Sequence, residues 1–202
     1  MKPISFLSLV LPALAIVAAA CAPASAPTAD VPTVPVVPLP TATLEPTAVP
    51  LSFTPNTYKA EAAGIELDYP SDWTTTPIKE VGTRGSTGQL FSPGSTAANL
   101  AEGGSRVGIT IYLWDPKNDL AAYVTHRKTA WEGGGSSIVK ESSGDLLDGR
   151  KYMSFIVQAP DKQQAFFLLT GLGEKYLEIS GEGNLALAEE IAHTVRPLNY
   201  KP

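Results

Sequence analysis

Met1 to Ala20 reads MKPISFLSLVLPALAIVAAA: one positive residue, Lys2, then an apolar run that closes on small alanines. A basic start, an apolar centre and small residues at the end form the layout of an export signal. From Ala22 to Ser52 the chain is almost wholly Pro, Thr, Ala and Val, with Asp30 and Glu45 its charges, and no period persists across the prolines. Proline fixes φ and withholds a backbone donor, so neither helix nor sheet propagates through such a tract. Stretched as polyproline the tract reaches on the order of 95 Å, and as a flexible coil about 30 Å.

From Tyr58 the pattern becomes that of a folded domain, and the chain divides into a signal segment (1–20), a disordered linker (21–57) and a domain (58–200). GIELDY alternates Ile65, Leu67 and Tyr69 against Glu66 and Asp68, which predicts a half-buried strand. QLFS is a second, short strand. RVGITIYLW (Arg106 to Trp114) is a third, with Val107, Ile109, Ile111 and Leu113 on one face. Asp115-Pro116 ends it, and Asn118 or Asp119 caps a helix whose inner stripe is Leu120, Tyr123, Val124 and Trp131. Gly133-Gly134-Gly135 stops that helix. Strands follow over Ser136–Ser143, Lys151–Ala159 (Met153, Phe155 and Val157 inward), Gln164–Thr170 and Tyr176–Ser180, with turns at Asp148-Gly149 and Asp161-Lys162. A last helix, Leu185 to Thr194, lines up Leu187, Ala188 and Ile191, with Val195 following. Short turns between late strands imply antiparallel pairing, so the fold class is α+β, an antiparallel sheet covered by helices.

The formal net charge of −5 argues against a nucleic-acid partner, which needs a basic stripe to replace counterions. The only cysteine, Cys21, excludes an internal disulfide and multi-cysteine metal sites, and with two histidines, His126 and His193, no metal or cofactor is expected.

Ala18-Ala19-Ala20-Cys21 looks like a bacterial lipobox, small residues before a cysteine, although the preferred leucine at −3 is missing. The resemblance implies cleavage before Cys21 and lipid attachment there. An ordinary signal-peptidase cut, or no cut and a retained anchor, are the competing readings. Several acyl chains make a lasting anchor, at about 0.8 kcal/mol per buried CH₂. Farther on, LDYPSDW, the helix in mid-chain, LLDGRKY, three closing strands and a last helix ending in HTVRPL resemble a PsbP-like domain. That family is an α/β/α sandwich, and the resemblance implies a non-enzymatic binding or assembly module.

GEGNLA (Gly181 to Ala186) fits a Gly-x-Gly-x-x-Ala dinucleotide fingerprint, but no further parallel strand has room to follow, so a glycine turn with Asn184 as helix cap is the better reading. Gly133 to Ser137 lacks the Gly-Lys-Ser/Thr ending of a phosphate loop, and no Gly-x-Ser-x-Gly elbow occurs. His126 lies off the apolar stripe. His193 falls near a helix C-terminus, where positive charge suits the dipole. Glu189 and Glu190 are adjacent and point apart. Trp73 and Trp131 read as core. Tyr112 and Trp114 share the strand face opposite Val107, Ile109 and Ile111, and they either line a ligand groove or meet a helix layer.

The expectation is a lipid-anchored extracytoplasmic binding or assembly module with a protein partner. The alternative is a small-ligand or glycan binder using a groove at Tyr112 and Trp114.

Overall fold

The computed structural model describes residues 50–80, 85–113 and 119–201. Cys21, the signal segment, the Pro/Thr tract up to residue 49, and Trp114 with Asp115, Pro116 and Asn118 lie outside the described residues.

β5 (Arg106–Leu113) shows how the larger sheet is built. Its alternation sends Val107, Ile109 and Ile111 to one face, all buried. Leu113 breaks the series at 57% exposed, because the strand has there run past the edge of the core. Around β5 a seven-stranded sheet runs in the order β3-β4-β5-β9-β8-β7-β6, every neighbouring pair antiparallel. Its other members are β3 (Thr74–Glu80), β4 (Gly85–Phe91), β6 (Ser137–Asp145), β7 (Lys151–Gln158), β8 (Gln164–Leu172) and β9 (Lys175–Glu182). The pattern does not announce β3. It is an edge strand with Pro77 at an irregularity between Thr76 and Lys79, a position where a missing N–H costs no ladder bond.

A second sheet of three strands has the order β1-β2-β10: β1 (Pro55–Ala60), β2 (Ile65–Pro70) and β10 (Arg196–Pro197). β1 takes in Pro55 to Thr57, which the composition assigns to the linker, since only Tyr58 and Ala60 of that strand are buried. Even earlier residues are engaged: Phe53 packs against the core, and Ser52 bonds the Glu190 carboxylate through its amide and its hydroxyl.

β2 is not half-buried. Glu66 is 7% exposed, because β10 brings Arg196 across from it in register. The Arg196 guanidinium donates to Glu66 Oε1 at 2.9 Å and to both Asp68 oxygens at 2.8 and 2.9 Å. An alternating strand with charges on its second face thus becomes interior once a planar fork reaches over both carboxylates.

The larger sheet is covered on both faces. On one side lie the small sheet and α2 (Leu185–His193), which rests against β8, β9 and β2. Here Ile65, Leu67, Leu90, Val107, Ile109, Leu168, Leu177, Ile179 and Ile191 form the main core, each fully buried. On the other side α1 (Leu120–Gly133) buries Tyr123 and Val124 against Phe155, Val157, Leu169 and Tyr176. β8 therefore has apolar cover on both sides, with Phe166 and Leu168 in one core and Leu169 in the other, and the architecture is the expected α+β sandwich, with one outer layer shared between a helix and three strands.

Both helices start where their caps place them. Asp119 accepts from the Ala122 amide at 2.9 Å and Asn184 from the Leu187 amide at 3.2 Å. The GEGN turn is a packing device: at Gly183 (φ +86°) a side chain would lie 2.1 Å from the Gly104 carbonyl, and at Gly181 2.2 Å from Ala188. After α2 the chain enters β10, antiparallel to β2 in the other sheet. A dinucleotide fold requires a parallel strand at that point.

Candidate functional site

α1 crosses the face of the sheet that carries Tyr112, Glu178, Tyr176, Leu169, Phe167 and Phe155, as the strand registers require. Its stripe runs Leu120, Tyr123, Val124, Arg127 and Trp131, at spacings that return to one side of a helix. Arg127 is the member that the apolar stripe omits. Its Nε lies 2.7 Å from Glu178 Oε2, and Nη2 donates to Oε1 at 3.1 Å. Glu178 is 5% exposed, on β9 in the middle of the sheet.

An aromatic shell encloses this pair. The guanidinium lies 5.8 Å from the Tyr112 ring and 5.1 Å from the Trp131 ring. Tyr123 stacks on Tyr176 with centroids 4.5 Å apart and stands 5.9 Å from Tyr112. Burial pushes the Glu178 carboxyl above its ordinary range, while the charge of Arg127 and hydrogen bonds from Arg127 and Tyr123 oppose it. Burial, and then the Glu178 charge, also hold the Tyr123 and Tyr112 phenols protonated.

Beside Trp131, where α1 ends, a cleft of about 230 Å³ opens between the glycine stop and the β7–β8 turn. Trp131 and Phe167 supply its aromatic part, centroids 4.8 Å apart, with Phe155 packed on Trp131 at 5.4 Å. Ser136, Asp161, Gln163, Gln164 and Glu182 supply its polar part. Arg106 binds Glu182 at 2.6 Å.

The residues singled out from the sequence are dispersed. Tyr112 lies half-buried, its ring 5.9 Å from that of Tyr123 on α1; Trp114 and Cys21 lie outside the described residues. Trp73 is core at 8% exposed. Trp131 is only half-buried and borders the cleft, so it is both packing and surface. His126 is exposed. His193 departs from the expected dipole-favoured cation: its ring packs on Tyr152 at 4.9 Å, and burial lowers its pKa. Glu189 faces Lys140 at 3.8 Å and Glu190 holds Ser52, so the two carboxylates do diverge. Arg127, Glu178 and the Gln163-Gln164 pair escaped sequence reading. The one available signal was Arg127 falling three residues after Val124 and four before Trp131 on an apolar stripe.

Among the described residues no group of three or more His, Cys, Asp or Glu is placed to hold a metal ion, and no helix is long and apolar enough to cross a membrane. No family model and no curated protein matches the chain. Among solved structures, the cyanobacterial PsbP (CyanoP) of Synechocystis sp. PCC 6803 is similar at 13% identity and a TM-score of 0.53, over 75% of this chain and 96% of that one. A Pseudomonas aeruginosa protein of unknown function, PA94, aligns at 14% identity and a TM-score of 0.41, over 67% of this chain and 86% of that one. Two antiparallel sheets, one helix on each side of the larger, and this structural likeness together identify the fold as PsbP-like.

Proposed function

We propose that the chain is a lipid-anchored extracytoplasmic protein, joined at Cys21 to a membrane, whose PsbP-like domain is a non-enzymatic module that binds or assembles a protein partner. The observation that carries the anchor is the isolated cysteine after Ala18-Ala19-Ala20, followed by a proline-rich spacer. The module reading is supported by how the charged groups of the α1 face are used. Glu178 and Arg127 are committed to each other beneath the helix and fix its seat, rather than facing a reacting molecule. Such a site presents a shaped surface more readily than an acid–base pair.

Two experiments test this. A Cys21→Ser variant is expected to move from the membrane to the soluble fraction; full membrane retention would contradict the anchor. Crosslinking of the full-length protein in native membranes is expected to recover one dominant partner protein. A crosslink profile no different from that of an unrelated lipid-anchored protein would contradict the module.

A further inference from the structure

The cleft at the end of α1 has a composition that the module reading does not require. Its lining joins two aromatic rings, Trp131 and Phe167, to two amides, Gln163 and Gln164, and two carboxylates, Asp161 and Glu182, with no lysine, arginine or histidine in it among the described residues. We propose that this cleft is a binding subsite for a neutral sugar ring. The proposal rests on the reading of the domain as a binding module and adds a ligand to it.

The chemistry matches on each side. A pyranose presents apolar C–H patches and a rim of hydroxyls that both donate and accept. Half-buried rings meet the first, and amides and carboxylates meet the second, since an amide offers two donors and an acceptor and a carboxylate accepts only. A phosphate or a sugar acid would face the Asp161 carboxylate, while Arg106, the cation beside Glu182, is already committed to that carboxylate at 2.6 Å, and the lining itself holds no other cation among the described residues. The size fits as well: about 230 Å³ is below the range of roughly 300–1,000 Å³ that takes a drug-sized ligand, which suits one ring of a longer glycan.

The polar part is built in advance. Lys162 adopts φ +73°, closing a turn in which its amide donates to the Ala159 carbonyl at 2.9 Å and the Ala159 amide to the Gln163 carbonyl at 2.8 Å. Asp161 accepts from the Gln163 amide at 3.1 Å, and the Gln164 side-chain amide donates to Gln158 at 3.3 Å. Glu182 is steered by Arg106, itself held by the Ala97 carbonyl. The turn backbone, Asp161 and Glu182 are thus held before a ligand arrives, which lowers the ordering it has to impose.

The test uses the full-length protein in a polyoxyethylene detergent, which carries no sugar. Saturation-transfer NMR is run with glucose, N-acetylglucosamine and their β-1,4-linked tetramers. The expected result is transfer to ring protons of at least one of them, with Kd on the order of 1 mM for the single ring and tighter for the tetramer. Gln163→Ala/Gln164→Ala, both exposed and outside the core, is expected to weaken it at least tenfold without altering the circular dichroism. Trp131→Ala is expected to abolish it. Absence of transfer from all four sugars, transfer unchanged in the double variant, or displacement of the sugar by choline would each overturn the assignment. Partner crosslinking run in parallel separates the two claims: a partner recovered without sugar binding leaves the module standing, and sugar binding without a partner does the reverse.

Discussion

Removing Arg127 is the sharpest perturbation of the α1 face. Arg127→Ala leaves the Glu178 carboxylate 5% exposed with its counter-charge gone. Stripping one partner from a buried ion pair costs roughly 3–5 kcal/mol, because the remaining charge is neither solvated nor paired. One feature places this site at the lower end: Arg127 is itself 20% exposed, so water can reach the vacated space. A loss of about 3 kcal/mol corresponds to a fall in Tm of about 6–12 °C for a domain of this size. The loss should depend on pH. Burial already raises the Glu178 pKa in the folded state against the opposing pull of Arg127, and the variant removes that pull. A carboxyl whose folded pKa is raised lowers stability above that pKa, and the penalty disappears as pH falls through it towards the unfolded value. The deficit relative to wild type is therefore largest near neutrality and smaller at about pH 5. Thermal unfolding followed by circular dichroism at about pH 5 and about pH 8 measures both quantities. Arg127→Met/Glu178→Leu, which removes both charges, should lie within about 1 kcal/mol of wild type. A deficit below about 1 kcal/mol, a deficit independent of pH, or a double variant as unstable as the single one would refute the reasoning.

Further outcomes follow from the same structure. Arg196→Ala strips the fork from Glu66 and Asp68 and should cost about 3 kcal/mol in urea unfolding, with Arg196→Lys recovering only part because an ammonium cannot bridge both carboxylates. Gly183→Ala meets both a left-handed backbone and the Gly104 carbonyl; a loss exceeding about 2 kcal/mol is expected, and a neutral outcome would show that the turn is not held as described. Asp119→Ala should cost about 1 kcal/mol through the lost cap, read as a shift in urea midpoint with unchanged m. The His193 ring should titrate by NMR below 6.5, its ordinary value, since burial disfavours the cation. A lowered folded pKa means that its contribution to stability is whole above the unfolded value and falls away with acidification, so a raised midpoint would contradict the burial.

What the chain revealed in advance was set by periodicity. Val107, Ile109 and Ile111 alternate, Tyr123 and Val124 repeat with Trp131 at helical spacing, and Asp119 and Asn184 sit at helix starts, so those elements could be placed from local chemistry. β3 and β1 could not: their residues pack on one edge only, and Pro77 and Pro55 read as breakers when no partner strand is in view. The interior of β2 was hidden for a different reason, since the group that buries Glu66 is Arg196, far along the chain. Glu178 likewise reads as the polar member of an alternating strand, and only the register β5-β9-β8 beneath α1 makes it a buried carboxylate. Charges neutralised by distant partners leave no local trace. The cleft was missed because its aromatic and polar parts come from α1, β8, β9 and the β7–β8 turn, which only the sandwich brings together.

The claim on which the functional reading depends most is attachment at Cys21, and it has a direct test. The protein is purified from membranes and its N-terminal peptide is measured by mass spectrometry. A mature chain that begins at Cys21 and carries acyl chains is expected. An unmodified Cys21, or a chain that retains residues 1–20, would contradict it.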